Sequence, residues 1–167
     1  MPTLTVVFDD KVIIKDSVAL HFEGDGADRF DAVVATEGDS GSHAIQWDGT
    51  TGNLEHKDGT PHTDIDAARI APYVTLFDTE METLRQAEKT AFLALDAEAL
   101  AREERDRLIS QTDWWVLPDR TPTQAQLDYR QALRDLPTSD SWNPTLTWDD
   151  DTWTGSLTGV TWPTKPE

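Results

Sequence analysis

The stretch from Arg105 to Pro137, RDRLISQTDWWVLPDRTPTQAQLDYRQALRDLP, decides how the second half of this chain folds. It opens on helix formers, and Pro118 bars the helix from continuing beyond Asp113, Trp114 and Trp115. The run TPTQ places Thr121 as an N-cap, Pro122 at the first helical position and Gln124 three residues after the cap. Tyr129, Ala132, Leu133 and Leu136 then share one face of a new helix, which Pro137 stops. The expected product is a helix-turn-helix hairpin with Trp114 or Trp115 packed beneath the shorter helix. Arg130 and Arg134, one helical turn apart, are expected to reach acids of the preceding helix such as Glu103 or Asp106.

Working toward the N-terminus, Tyr73, Phe77, Met81, Leu84, Ala91 and Leu95 recur at helical spacing from about Ile65 onward. Asp96 either caps a second helix over DAEALAREERDRLI or lies inside one continuous helix. Unbroken to Ser110, that helix would extend about 60 Å at about 1.5 Å per residue. Its apolar face must be buried against the sheet, the end of the chain or another copy, and Phe77, Met81 and Leu84 are the face expected for a homo-oligomer. Before it, TLTVVF, KVIIKD, VALHFE, DAVVAT and HAIQWDG read as short strands between Asp-, Gly- and Ser-rich turns. The expected fold class is therefore α+β: a small antiparallel β lobe over residues 1–64, a long helical segment over 65–111, and a C-terminal module over 112–167.

The chain ends on SWNPTLTWDDDTWTGSLTGVTWPTKPE, which reads as a hairpin followed by an extended, proline-bounded tail. Six of the seven tryptophans lie beyond Asp113, so the aromatic area is concentrated in this half. Trp142, Trp148, Trp153 and Trp162 form either a docking surface for another protein or a tryptophan-filled mini-core. Sugar stacking is a third use of such rings, though no repeated sugar-binding module is present.

The net charge of −18 and pI near 4.3 disfavour nucleic acid and anionic membrane as partners, because both repel carboxylates. The same acidity suits a basic protein partner or a merely well-solvated surface. With no cysteine, disulfides and thiolate metal sites are excluded. The start MPTLTVVFDDK lacks the basic and apolar runs of a secretory signal, and no apolar run approaches the about 20 residues needed to span a bilayer, so synthesis in a cytosol is expected.

Catalytic chemistry finds no anchor. His21, His43, His56 and His62 are scattered through the first lobe, and there is no nucleophile elbow, phosphate-binding loop or dinucleotide fingerprint. Asp149, Asp150 and Asp151 offer a hard cation some oxygens, as do Asp48 and Glu55, but the spaced ligands of a calcium loop are missing, and a solvated turn accounts for each. The expectation is no catalytic residue, no metal and no cofactor. A carboxylate-based hydrolase acting on surface sugars is the enzymatic alternative.

The second half resembles the bacteriophage tail assembly chaperone proteins, a family related in context to tail-fibre assembly proteins. The resemblance is carried by Arg107, Leu108, Thr112, Asp113, Trp114, Tyr129, Arg130, Gln131, Leu133, Arg134, Asp135, Trp162, Pro163 and Pro166, in that order. Ile109 departs mildly from the second leucine of the family pattern, and SWNPTLTWDDDTWTGSLTG stands where the family commonly has a short connection. The resemblance implies a compact adapter in which Asp113, Trp114, Tyr129, Arg130 and Arg134 are structural. It implies a non-enzymatic protein that binds a tail, baseplate or tail-fibre subunit and assists assembly in the host cytoplasm. Permanent residence in the virion, as a tail, baseplate or fibre-attachment subunit, is the alternative.

Overall fold

The computed structural model describes residues 2–167 and has the α+β composition expected from sequence. The chain divides into two compact units, one ending at Arg85 and the other running Gln86–Glu167.

The first unit is built on six antiparallel strands: β1 (Leu4–Val7), β2 (Val12–Lys15), β3 (Val18–His21), β4 (Ser42–Trp47), β5 (Gly52–His56) and β6 (Thr63–Ile65). Their spatial order is β3-β2-β1-β4-β5-β6. Pairing register explains which side chains are buried. Val6 stands opposite Ile13 and Ile45, Leu20 opposite Ile13, Trp47 opposite Leu4, and Leu54 opposite Ile45, so all seven project from one face. That face carries the core, closed by Phe30 from helix α1 (Asp25–Glu37) and by Ile70, Tyr73, Leu76 and Phe77 from helix α2 (Ala67–Leu93). The other face carries a polar row in which the Thr5 hydroxyl meets Gln46 at 3.0 Å and Gln46 neighbours Asn53.

One expectation for this half requires correction. The run DAVVAT is not a strand: it lies inside α1, where Phe30, Val33 and Val34 occupy one helical face against the core. Gly38 ends that helix at φ 76°, a left-handed conformation that glycine adopts without a Cβ penalty. The helix provides the connection from edge strand β3 to β4 on the far side of β1. The helical face expected for a homo-oligomer is divided between core and surface. Phe77 is buried in the core and Met81 packs against it, which leaves Leu84 half exposed.

A buried polar cluster ties the end of α1 to the start of α2. Asp39 accepts from the Tyr73 hydroxyl and from Arg69, while Arg69 also donates to the Glu37 carboxylate at 2.6 Å and to its carbonyl at 2.9 Å. Burial pushes the Asp39 carboxyl up despite the bonds from Tyr73 and Arg69, and burial together with the neighbouring Asp39 pushes the Tyr73 hydroxyl up strongly.

No helix among the described residues is long and apolar enough to cross a membrane.

Candidate partner-binding surface

The second unit begins with the last turns of α2, which end at Leu93. The long helix does not run unbroken to Ser110. A tight turn through Leu95 separates it from α3 (Ala97–Ser110), and the Asp96 carboxylate caps α3 by accepting from the Glu98 and Ala99 amides at 3.0 and 3.1 Å. A 3-10 turn over Asp113–Val116 follows, then α4 (Gln124–Asp135). The N-cap of α4 is Thr123 rather than Thr121. Thr123 accepts from the Gln126 amide at 3.3 Å while the Gln126 side chain accepts from the Thr123 amide at 2.9 Å. This reciprocal capping box lies one step beyond Pro122, which therefore leads into the helix instead of opening it.

The aromatic pair splits between two environments. Trp115 is buried and its ring centroid lies 6.0 Å from that of Tyr129, with Leu133, Leu108, Ile109 and Trp162 around them. Trp114 is 50% exposed, with the Arg120 guanidinium 5.0 Å from its ring centroid. Lys165, in the tail, sits 5.7 Å from the Trp115 centroid.

Arg130 is buried at 4% exposure, but it does not reach Glu103 or Asp106. It donates to the Ile109 carbonyl at 3.1 Å, to the Thr112 hydroxyl at 2.7 Å and to Asp113 at 2.8 Å. Thr112 is itself buried and donates back to the Ile109 carbonyl at 2.7 Å. Arg130 thereby satisfies the frayed end of α3, where carbonyls lack helical partners. The acids expected to receive it pair with their own helix neighbours or stay at the surface: Asp106 takes Arg105 at 2.5 Å. Arg134 occupies an exposed position in the last turn of α4, where a cation complements the helix dipole.

Strands β7 (Trp142–Asp149) and β8 (Thr154–Val160) form a two-stranded antiparallel hairpin. Alternation sorts its faces. Trp142, Leu146, Trp148, Gly155 and Leu157 are half-buried, while Thr145, Thr147, Ser156 and Thr158 point outward and are linked by a 3.0 Å contact between the Thr145 and Thr158 hydroxyls. The four sequence-predicted tryptophans do not form one cluster. Trp142 stacks edge-on against Trp162 at 6.2 Å and donates its indole N–H to Glu98 at 2.8 Å. Trp148 meets Phe92 at 5.7 Å and Trp153 at 6.3 Å, near the turn end of the hairpin. The indole N–H of Trp148 is buried without an acceptor, at a cost of about 1–3 kcal/mol.

Arg102, and then Trp142, hold the Glu98 carboxyl below its usual range; Arg107 does the same for Glu104. At the hairpin turn Asp149 accepts from the Thr152 and Asp151 amides at 3.2 and 2.8 Å, which lowers its carboxyl, and Asp150 pairs with Lys89 at 2.7 Å. Asp48 is likewise bonded to the Thr50 and Thr51 amides, each at 2.8 Å. No group of three or more metal-ligating side chains occurs among the described residues.

Two residues absent from the sequence reading shape this surface. Phe92 separates two open clefts, one lined by Leu95, Trp148 and Trp153, the other by Leu100, Leu146, Leu157 and Trp162. Gly155 borders both, because a Cβ there would come within 2.4 Å of the Phe92 ring. The signal in the sequence is the helical stripe itself, since Phe92 lies beside Ala91 and three residues before Leu95.

No curated protein and no solved structure matches the chain. Residues 98–167 match the family model described as phage tail assembly chaperone protein, so the segment from the first turn of α3 through the hairpin to Glu167 carries the support for a role in phage tail assembly.

Proposed function

We propose that this chain is a non-enzymatic bacteriophage tail protein whose C-terminal unit binds a tail or tail-fibre subunit and assists its assembly in the host cytoplasm. The observation that carries the reading is that the matched segment lies inside one compact unit. The segment matched by the chaperone family, 98–167, falls wholly within the compact unit Gln86–Glu167, and that unit presents half-buried tryptophans together with exposed Trp114, Val116 and Leu117. Large aromatics that are neither fully buried nor isolated are the residues that dominate protein interfaces. Trp142, Trp148, Trp153 and Trp162 are the proposed contacts, and Arg130 with Asp113, Tyr129 and Trp115 is the scaffold that supports them.

The test is co-expression of the chain with each tail, baseplate and fibre subunit encoded by the same phage. A chaperone raises the soluble yield of one subunit and co-purifies with it. Binding to none of them, with no change in any yield, removes the proposal. Permanent residence in the virion is the second reading, favoured by an N-terminal unit that has its own core outside the matched segment. Quantitative peptide mass spectrometry on gradient-purified particles separates the two. A fixed copy number in the particle marks a virion component, and presence only in infected cells marks a transient assembly factor.

A further inference from the structure

Resting on that reading, we infer that the two clefts flanking Phe92 are the docking site, and that they take a basic segment of the tail subunit carrying two apolar side chains. The clefts have volumes of about 530 and about 510 Å³, enough for a large side chain each. Their walls are apolar: Ala91, Leu95, Trp148 and Trp153 on one side of Phe92, and Leu100, Leu146, Leu157 and Trp162 on the other. The partition depends on Gly155, since any side chain at that position would displace the Phe92 ring between them.

Charge selects the occupant. Glu88 borders the first cleft, and Glu103, Glu104 and Arg107 border the second. Arg107 is engaged by Glu104 at 2.5 Å, and Lys89, beside Glu88, is engaged by Asp150 at 2.7 Å. The nearby cations are thus held by other carboxylates, and Glu88 and Glu103 stand at the rims as exposed acids. Asp149 and Asp151 add to them at the hairpin turn, and across Gln86–Glu167 fifteen acidic residues outnumber eight Lys and Arg. A segment with two apolar anchors and flanking Lys or Arg matches both features; an acidic or purely apolar segment matches one at most.

The experiment is selection of a random dodecapeptide display library against the full chain. The expected winners carry two large apolar residues and an excess of Lys and Arg, and they bind at least tenfold more weakly to the double variant Glu88→Lys, Glu103→Lys. Both changes lie on exposed helical positions, so circular dichroism and the melting temperature stay at wild-type values. The control is Asp10→Lys, Glu23→Lys, an equal charge change at exposed sites of the first unit, which leaves peptide affinity within twofold. Winners without a basic excess, affinity insensitive to the rim change, or no enrichment at all would each overturn the inference. The same rim variant in the co-expression assay keeps the two readings apart. If wild type and variant hold a tail subunit equally well, the chaperone role stands and this docking site falls; if wild type holds none, the role itself falls.

Discussion

At the scale of single residues, two buried polar side chains are where the structure is most exposed to test. The Tyr73 hydroxyl is pushed above its ordinary value of 10.0, first by burial and then by the Asp39 carboxylate it donates to. A raised folded-state value means that the stability it contributes is fully present below about pH 10 and is lost as pH rises further, because the unfolded chain releases the proton first. Melting temperature followed from pH 9 to pH 11.5 is expected to fall more steeply for wild type than for Tyr73→Phe, although the variant starts lower at pH 8 because Asp39 has lost a donor. Equal slopes would show that Tyr73 does not govern the alkaline limb. Arg130 is the second case. Its replacement by Ala takes the donor from the Thr112 hydroxyl and from Asp113, leaves the Ile109 carbonyl with Thr112 alone and opens a void, and we expect a loss of about 2–4 kcal/mol in urea denaturation read by tryptophan fluorescence. Arg130→Lys is expected to recover less than half of it, since an ammonium cannot fork between Thr112 and Asp113.

At the scale of elements, caps and close approaches matter more than propensity. Thr123→Ala removes half of a reciprocal capping box and is expected to cost about 0.5–2 kcal/mol, whereas Thr121→Ala changes stability little; the reverse ranking in thermal melts would contradict the cap assignment. Gly155→Ala forces the Phe92 ring away from Trp148 and is expected to destabilise the hairpin by about 1–3 kcal/mol, with a shifted tryptophan emission maximum as the check. These positions also show what the sequence could and could not disclose. Strands β1 to β4 were legible because alternation and Asp- or Gly-rich turns mark their ends, and the hairpin was legible for the same reason. Helix α1 was not, because Val33 and Val34 are good strand formers and their helical spacing from Phe30 is visible only once the core is known. Arg130 reads as a pairing residue, but its spacing points to Glu103 and Asp106 rather than to Asp113, since the 3-10 turn that brings Asp113 to α4 has no sequence period of its own. Of the surface, the tryptophans were legible from their number, while Phe92 and Gly155 were not, because their importance lies in the distance between two distant segments.

At the scale of the whole molecule, the net charge sets behaviour in solution. With a pI near 4.3, repulsion between copies is strong at neutral pH and vanishes on acidification. Light scattering is expected to report dispersed protein at pH 7 and growing particles as pH falls toward about 4.5, reversibly if unfolding has not begun. The acids held below their usual range, Glu98, Glu104 and Asp149 among them, contribute stability that is present above their unfolded values and is lost as pH falls through the folded ones. Acid therefore removes solubility and folding support together, and the refolding yield after brief exposure to pH 4 distinguishes the two effects.

The hairpin carries a consequence of its own. Among the described residues β7 and β8 pair only with each other, so each leaves one side of its backbone ladder open, the arrangement that lets strands zip onto further strands. A hairpin with open edges has to be kept from pairing with further copies of itself. Pro144 interrupts the ladder of β7 with a residue that has no amide hydrogen, and the three aspartates at the turn bring like charges against any identical turn that approaches. The stretch from Trp142 to Val160 thus carries in its own strands and turn the features that refuse a second copy of its own kind.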